Sequence, residues 1–314
     1  MRSLFVMDPL DRLNLAGDST YSLMLESSRR GWPVSWCTPD DLYVLGGVAR
    51  ARVQEATALE DPPGFSRGAT SDQDLGAFEL VWMRKDPPFD MEYIFSTWIL
   101  ERVPASTKVF NRPSAIRSYN EKIHTLDYPD LCVETLLTRD IRRILEFAAS
   151  HQRIVLKPWD GNGGRGVLVT AAADPNIRSM VELLTAEGTR AILVQRYIPE
   201  IVQGDKRIIL VDGEPVGALL RVPSSADHRG NMHAGASVQR TTLTDREVEI
   251  CSRLAPRLRA EELLFVGIDV IGGWLTEINV TSPTGIREIG RLDGVDVARL
   301  VVDAAVRRHQ SAGA

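Results

Sequence analysis

Residues 267–283 read GIDVIGGWLTEINVTSP, two apolar strands around a Gly-Gly pair that also carry Asp269, Glu277 and Asn279. Acidic side chains are depleted from strand interiors and expensive to bury without a partner. Three compensations are open to them: a metal ion, a basic partner, or water. The register of the hairpin separates these choices. A strict two-residue turn at Gly272 and Gly273 pairs Ile271 with Trp274 and Asp269 with Thr276, which leaves Glu277 on the opposite face. A three-residue turn or one bulge shifts the pairing and sets Asp269 across from Glu277, with Asn279 on the same face. A site for Mg2+, held by a few hard oxygen ligands together with phosphates, requires the second register. Solvent-facing acids are compatible with the first.

A second group lies at residues 155–167, VLKPWDGNGGRGV. Lys157 ends an apolar run, and Gly161, Gly163, Gly164 and Gly166 follow it. Glycines let backbone N–H groups converge on an anion without obstruction by Cβ, and a lysine beside such a nest adds a point charge for phosphoryl oxygen. The spacing fits neither GxGxxG nor GxxxxGK[ST], so it is not a Rossmann or P-loop signature. A plain hairpin turn would account for one or two of the glycines. The strand ILVQRYIP (192–199) is ordinary core taken alone; beside a nucleotide, the backbone of Gln195, Arg196, Tyr197 and Ile198 is placed to read an adenine edge. Lys206, Arg207, Arg221 and Arg287 are each surface charges when taken singly. Converging on one cleft, they would neutralise a phosphoryl group and clamp a carboxylate.

These groups need a scaffold, and the chain supplies one. With 314 residues it is long enough for two or three lobes. An opening strand over 3–8, a helix over 19–30 and a strand over 33–39 give a β-α-β start and an α/β first lobe. Residues 55–76, rich in Pro, Gly, Asp and Ser, are expected to form a surface excursion. Residues 109–122 read as strand, turn and helix start, where the first lobe hands over to the second. Three strands follow between 153 and 198, the first two joined by the glycine loop. A hairpin with Asp-Gly at its turn begins at 206. Residues 224–237 have no apolar periodicity and are expected to form a mobile loop. Helices close the chain near 244–260 and 295–309.

The bulk properties exclude several function classes. A formal net charge of −5 speaks against a general nucleic-acid binder. No run reaches the roughly 18 apolar residues of a membrane span, and residues 1–10 lack the features of a secretory leader. The three cysteines and five histidines are scattered, without the spacing of a disulfide framework or a zinc site. A reducing cytoplasm is the expected location. No Ser/His/Asp or Cys/His arrangement suggests a side-chain nucleophile.

The segments MRKDPPFD (83–90), NEK (120–122), LKPWDGNGG (156–164), GDKR (204–207), VDGEPV (211–216) and FVGIDVIGGWLTEINVTSPTGIREI (265–289) together resemble bacterial glutathione synthetases of the ATP-grasp superfamily. The likeness runs almost from end to end. It implies an α/β (α+β) ATP-grasp fold: an N-terminal α/β domain (1–119), a small central lid domain (120–198) and a C-terminal ATP-grasp domain (199–314). By the same resemblance Lys122 and Lys157 bind ATP phosphates, under a loop containing Gly161, Gly163 and Gly164. Gln195, Arg196, Tyr197 and Ile198 frame the adenine, and Asp205 belongs to the nucleotide side. Asp269, Glu277 and Asn279 hold two Mg2+ ions, with Mn2+ as a substitute, while Arg207 and Arg221 stabilise the transferring phosphoryl group.

The activity implied is ligation of γ-glutamylcysteine to glycine through an acyl phosphate, by a dimer or tetramer, with residues 224–237 as the lid. One departure stands out. The family pattern has RGN followed within a few residues by GGR; here RGN (229–231) is followed by GAS (235–237), with Arg240 as a candidate substitute. That departure leaves open a paralogous ligase acting on another peptide or amine.

Overall fold

The structure, a computed structural model, describes residues 1–161, 163–223 and 237–311. Its first seven strands are β1 (Ser3–Val6), β2 (Val34–Cys37), β3 (Leu42–Leu45), β4 (Val48–Glu60), β5 (Pro63–Asp74), β6 (Leu80–Met83) and β7 (Lys108–Phe110). They form one sheet in the order β3-β4-β2-β1-β6-β7, with β5 on the far side of β4. The central strand β1 is parallel to β2 and β6, and all four of its residues are buried. Such double-sided burial is why a parallel strand reads as an unbroken apolar run. Helix α1 (Ser19–Arg29) makes the crossover, with the Asp18 carboxylate accepting from the Tyr21 N–H at its start. Helices α2 (Met91–Leu100) and α3 (Pro113–Ser118) complete this unit.

Residues 55–76 are regular rather than an irregular excursion. They form most of a long antiparallel hairpin, in which β5 pairs along β4 from Glu60 back to Arg50. Val53, Ala56 and Ala58 of β4 alternate into the core, while β5 is largely exposed at the sheet edge. An edge strand needs only backbone pairing, so its polar composition does not prevent it from being a strand.

The second unit is a four-stranded antiparallel sheet, β10-β9-β11-β8. It comprises β8 (Thr135–Thr138), β9 (Ile154–Pro158), β10 (Leu168–Thr170) and β11 (Ile192–Arg196), backed by α4 (Ile141–Ser150) and α5 (Ile177–Thr185). It has its own core, built on Ile144, Ile154, Leu156, Val181, Ile192 and Val194.

The third sheet runs β14-β13-β12-β15-β16. Its strands are β12 (Asp205–Val211), β13 (Glu214–Val222), β14 (Ser237–Arg240), β15 (Phe265–Ile271) and β16 (Trp274–Asn279). Asp212 and Gly213 take positive φ in the β12–β13 turn, as an Asp-Gly hairpin demands. Helix α6 (Asp245–Ala260) opens with a capping box between Thr244 and Glu247, and its Ile250, Leu254 and Leu258 cover one face of the sheet. Helices α7 (Ile286–Asp293) and α8 (Val297–Ser311) lie on the other side. There Ile289, Val301, Val302 and Ala305 share a core with Phe5, Met7, Tyr21 and Trp82 of the first unit. The first and third units are therefore one packed body. Asn111 reinforces the seam: its Nδ2 donates to the Phe265 and Val280 carbonyls, at 2.8 Å each, and its Oδ1 accepts from the Phe265 N–H. The segment 224–237 expected to act as a lid lies, except for Ser237, outside the described residues.

Candidate active site

The hairpin adopts the register that a cation site requires, by way of a bulge. Gly272 and Gly273 form a two-residue turn with φ of +56° and +79°, and Ile271 pairs with Trp274 and Val270 with Leu275. The ladder then slips by one residue at Thr276, so that Asp269 faces Glu277 and Gly267 faces Asn279. The Thr276 hydroxyl donates to the Asp269 carbonyl at 3.0 Å and anchors the bulge.

Cross-strand pairing extends this face across the sheet. Arg207 on β12 lies directly opposite Asp269, and Arg221 on β13 directly opposite Asp205. Arg207 grips Asp269 with two bonds, Nε to Oδ1 at 2.5 Å and Nη2 to Oδ2 at 2.9 Å. Arg221 Nη2 bridges Asp205 Oδ2 at 2.5 Å and Asp269 Oδ1 at 2.9 Å. Gly267 makes room for this arrangement, since a Cβ there would stand 3.1 Å from Arg207 Cδ. Burial pushes the Asp269 pKa up, but Arg207 and Arg221 more than reverse this and hold it well below the usual carboxylate range. Burial dominates at Asp205, whose second oxygen has no partner among the described residues, and its pKa is pushed up to about 7. Sequence reading left the compensation of Asp269 open between a metal, a base and water. In this structure the compensation is a pair of guanidinium groups.

This face of the sheet forms one wall of a cavity of about 770 Å3, within the usual range for small-molecule sites. The second unit supplies the facing wall. Gly163, Gly164 and Gly166 hold φ of +59°, +74° and +72°, a conformation open to glycine at little cost, and the first two line the cavity. Lys122 Nζ donates to the Gly161 carbonyl at 2.5 Å and stands 3.4 Å from Glu277 Oε1, tying the glycine loop to the hairpin. Burial lowers the Lys122 pKa, but Glu277 and then Glu121 raise it above the usual lysine value. Lys157 also lines the cavity and has no ion pair among the described residues; burial depresses its pKa. An uncompensated lysine of this kind is a ready partner for a ligand anion.

At the end of β11 the Gln195 side-chain amide donates to Thr135 Oγ1 at 3.0 Å. The Arg196 and Tyr197 N–H groups are taken by the Glu134 and Arg153 carbonyls. The Tyr197 carbonyl and the Ile198 N–H have no backbone partner among the described residues and are open to a ligand. The Arg153 guanidinium sits 4.0 Å above the Tyr197 ring on the same wall.

Lys122, Lys157, Gly163, Gly164, Gln195, Arg196, Tyr197, Ile198, Asp205, Arg207, Arg221, Asp269, Glu277 and Asn279 all line this one cavity. Gly161 enters through its carbonyl. Other basic candidates point elsewhere. Lys206 alternates to the opposite face of β12 and pairs with Glu247 at 2.7 Å, and Arg287 donates to the Ala16 carbonyl. Arg240, the candidate substitute for the missing loop arginine, pairs with Asp293 at 2.8 Å on the surface. Sequence reasoning missed Asp86, Glu121, Arg153, Arg165 and the strap Ser282, Pro283 and Thr284. Glu121 is a positioning group: its Oε1 accepts from the Val280 and Thr281 N–H groups and from the Thr281 hydroxyl.

Residues 121–294 match the family described as prokaryotic glutathione synthetase, ATP-grasp domain, and residues 1–117 match the corresponding N-terminal domain. The chain belongs to the prokaryotic glutathione synthetase family. It is 45% identical over 305 residues to the glutathione synthetase of Brucella melitensis, covering 96% of this chain and 97% of that one. It is 47% identical over 310 residues to that of Gloeobacter violaceus, with 96% of each chain covered. Among solved structures it is similar in fold to the D-cycloserine synthetase DcsG (TM-score 0.68, 16% identity, 98% and 99% coverage). It is likewise similar to the ATP-grasp ligase PsnB complexed with a phosphomimetic variant of its minimal precursor, Mg and ADP (TM-score 0.62, 17% identity, 98% of each chain).

The residues of this glutathione synthetase family member accommodate a hard cation unequally. Asn279 donates its amide to Asp269 Oδ2 and to the Gly267 carbonyl, both at 3.2 Å, and its Oδ1 accepts nothing among the described residues. Among the described residues Glu277 is held only by Lys122. Both are available to a cation. Asp269 is not: its two oxygens already accept four bonds, which fills the acceptor capacity of a carboxylate. Among the described residues no three His, Cys, Asp or Glu side chains cluster as a ready-made metal site. A cation here depends on Glu277, the Asn279 amide and ligand oxygens.

Proposed function

We propose that this protein is a glutathione synthetase that joins the carboxylate of γ-glutamylcysteine to the amine of glycine and converts ATP to ADP and phosphate. The observation that carries this reading is the convergence of Lys122, Lys157, Arg207 and Arg221 on one cavity in a chain of this family. The donor carboxylate attacks the γ-phosphorus of ATP and forms an acyl phosphate. The amine of glycine then adds to the acyl carbon, phosphate leaves, and the amine proton passes to solvent or to phosphate. Neither step needs a side-chain nucleophile; both need positioning and neutralisation of charge.

In this reading Lys122, Lys157 and the glycine loop hold the nucleotide phosphates. Ile198 N–H and the Tyr197 carbonyl read the adenine, with Gln195 and Arg196 shaping that wall. Arg207 and Arg221 face the transferring phosphoryl group, and Asp205 holds Arg221 in place. Glu277 and Asn279 would hold Mg2+, joined by Asp269 once an arginine has left it, and the cation would offset charge on the phosphates. Two ions are expected, with Mn2+ as a substitute. We assign three domains, 1–119, 120–198 and 199–314, to a homo-oligomer working in the cytoplasm. The residues outside the described set at 224–236, with Ser237, would shield the acyl phosphate from water.

Incubation with ATP, Mg2+, γ-glutamylcysteine and glycine should release phosphate and the tripeptide in equal amounts. Tight ATP binding without turnover would refute the substrate assignment. A second reading, a paralogous ligase with another amine or acyl peptide, is favoured by the sequence GAS at 235–237 together with the engagement of Arg240 on Asp293. A panel of amines tested against γ-glutamylcysteine separates the two.

A further inference from the structure

Among the described residues five carboxylates line the cavity, and four have partners. Asp205 and Asp269 share the two arginines, Glu277 faces Lys122, and Glu121 accepts three hydrogen bonds from the residues after β16. The fifth is Asp86. Its N–H donates to Asp8 Oδ2 at 2.9 Å and its carbonyl accepts from Lys85 Nζ at 2.6 Å, while Lys85 itself pairs with Asp8 at 3.0 Å. The Asp86 carboxylate takes part in no hydrogen bond or ion pair among the described residues. Its backbone is held at both polar atoms and followed by Pro87 and Pro88, so the group is presented on a stiff segment. Asp86 is exposed and the cavity otherwise carries Lys122, Lys157, Arg207 and Arg221, so this one carboxylate without a partner among the described residues is the group open to a ligand that carries a cation.

The strap between Asp86 and the phosphoryl end sets a length. Arg207 Nη1 donates to the Thr284 carbonyl at 3.3 Å, and the buried Arg84 Nη2 donates to the neighbouring Pro283 carbonyl at 3.0 Å. Ser282 Oγ reaches the Arg84 carbonyl at 3.4 Å, two residues from Asp86. Three strap residues span roughly 10 Å when extended. In γ-glutamylcysteine, seven bonds separate the carboxyl carbon to be activated from the α-ammonium nitrogen of the glutamyl residue, about 9 Å when extended.

Resting on the function proposed above, we propose that Asp86 is a specificity-determining residue whose carboxylate receives the α-ammonium group of the γ-glutamyl moiety. It reads the end of the acyl substrate remote from the chemistry. A charge-assisted hydrogen bond of this kind discriminates by about 10- to 100-fold against a ligand lacking the cation.

The test compares γ-glutamylcysteine with N-glutarylcysteine, which lacks only the α-amino group, in wild type and Asp86→Asn. The assay is ATP-dependent phosphate release with glycine as acceptor. The wild type should prefer γ-glutamylcysteine by about 10- to 100-fold in kcat/KM, and Asp86→Asn should bring the two substrates within about threefold. KM for ATP and for glycine should stay within twofold in the variant. An unchanged preference in Asp86→Asn, or an equal loss with both substrates, overturns the assignment and leaves the ligase intact. A rise confined to KM for glycine overturns it in favour of the acceptor amine. Absence of turnover by the wild type overturns the ligase reading, and the role of Asp86 with it.

Discussion

Replacing Glu277 by Gln removes one negative charge and almost no volume, and the structure fixes what that should do. The side chain is 26% exposed and makes a single ion pair among the described residues, 3.4 Å from Lys122. Glu277 is the partly exposed partner of a buried lysine, and Gln keeps a hydrogen-bonding group beside it, so the substitution costs about 1 kcal/mol. In a chain of this size that is a shift in Tm of no more than about 4 °C. The effect on turnover should be far larger. Loss of a charged ligand to a cation that offsets phosphate charge is worth about 3 kcal/mol in the transition state, a fall in kcat of roughly 100-fold.

Two readouts separate metal holding from mere neutralisation of Lys122. As a ligand, Glu277 sets the Mg2+ concentration for half-maximal phosphate release, which should rise at least about tenfold in Glu277→Gln. As a simple counter-ion, it would leave that midpoint unchanged, and its removal would tighten ADP binding in the absence of metal. Phosphate release titrated with Mg2+, calorimetric titration of ADP without metal, and a melting curve read these three quantities. An unchanged Mg2+ midpoint, or a Tm lower by more than about 8 °C, refutes the reasoning.

Asp269→Asn should behave in the opposite way: it strips Arg207 of its carboxylate in a buried setting, which costs about 3–5 kcal/mol. A Tm within 3 °C of wild type would show that the pair is not a structural ion pair. Mg2+ without nucleotide should bind weakly, because Asp269 is saturated by its own arginines, and ADP should tighten it at least about tenfold; equal affinity with and without ADP, by calorimetry, refutes this. Asp205 has a pKa of about 7 in the fold, above its ordinary value, so the unfolded chain loses that proton first as pH rises. The resulting penalty grows between about pH 4 and pH 7 and is constant above that range. The stability of Asp205→Asn relative to wild type should therefore rise across this window, by on the order of 4 kcal/mol between about pH 4 and pH 8; a difference that does not change with pH refutes the assignment.

Local chemistry was legible where the pattern within one segment decides the structure. The β-α-β opening, the Asp-Gly hairpin and the glycine loop follow from residue type and period. The hairpin at 267–283 was constrained further, because only a shifted register puts Asp269 and Glu277 on one face, and the bulge at Thr276 provides it. Pairing between distant segments was not legible. Arg207 and Asp269 are 62 residues apart and meet because β12 runs beside β15, yet both strands are apolar runs that would tolerate other registers. A basic side chain facing an acid across such a ladder cannot be told from one that slips to the far face, and Lys206 is the adjacent residue that did. The same limit hid Asp86, whose lack of a partner among the described residues emerges only from the packing of distant segments.

The site's charge pattern then has a consequence that neither the motif nor the fold supplies alone. Across one row of the sheet the order is Arg207, Asp269, Glu277, and in the next row Arg221 faces Asp205. Without ligand the two arginines are matched by Asp269 and, as pH rises through about 7, by Asp205, so the face then carries little uncompensated charge. A cation reaches Asp269 only by displacing a guanidinium, and a displaced guanidinium in a buried site needs another anion. Phosphate oxygens of a nucleotide meet that need, whereas a metal ion alone does not. The acids that seemed out of place on an apolar hairpin are therefore held by internal counter-ions that a metal–nucleotide pair can replace together, and neither component replaces well alone.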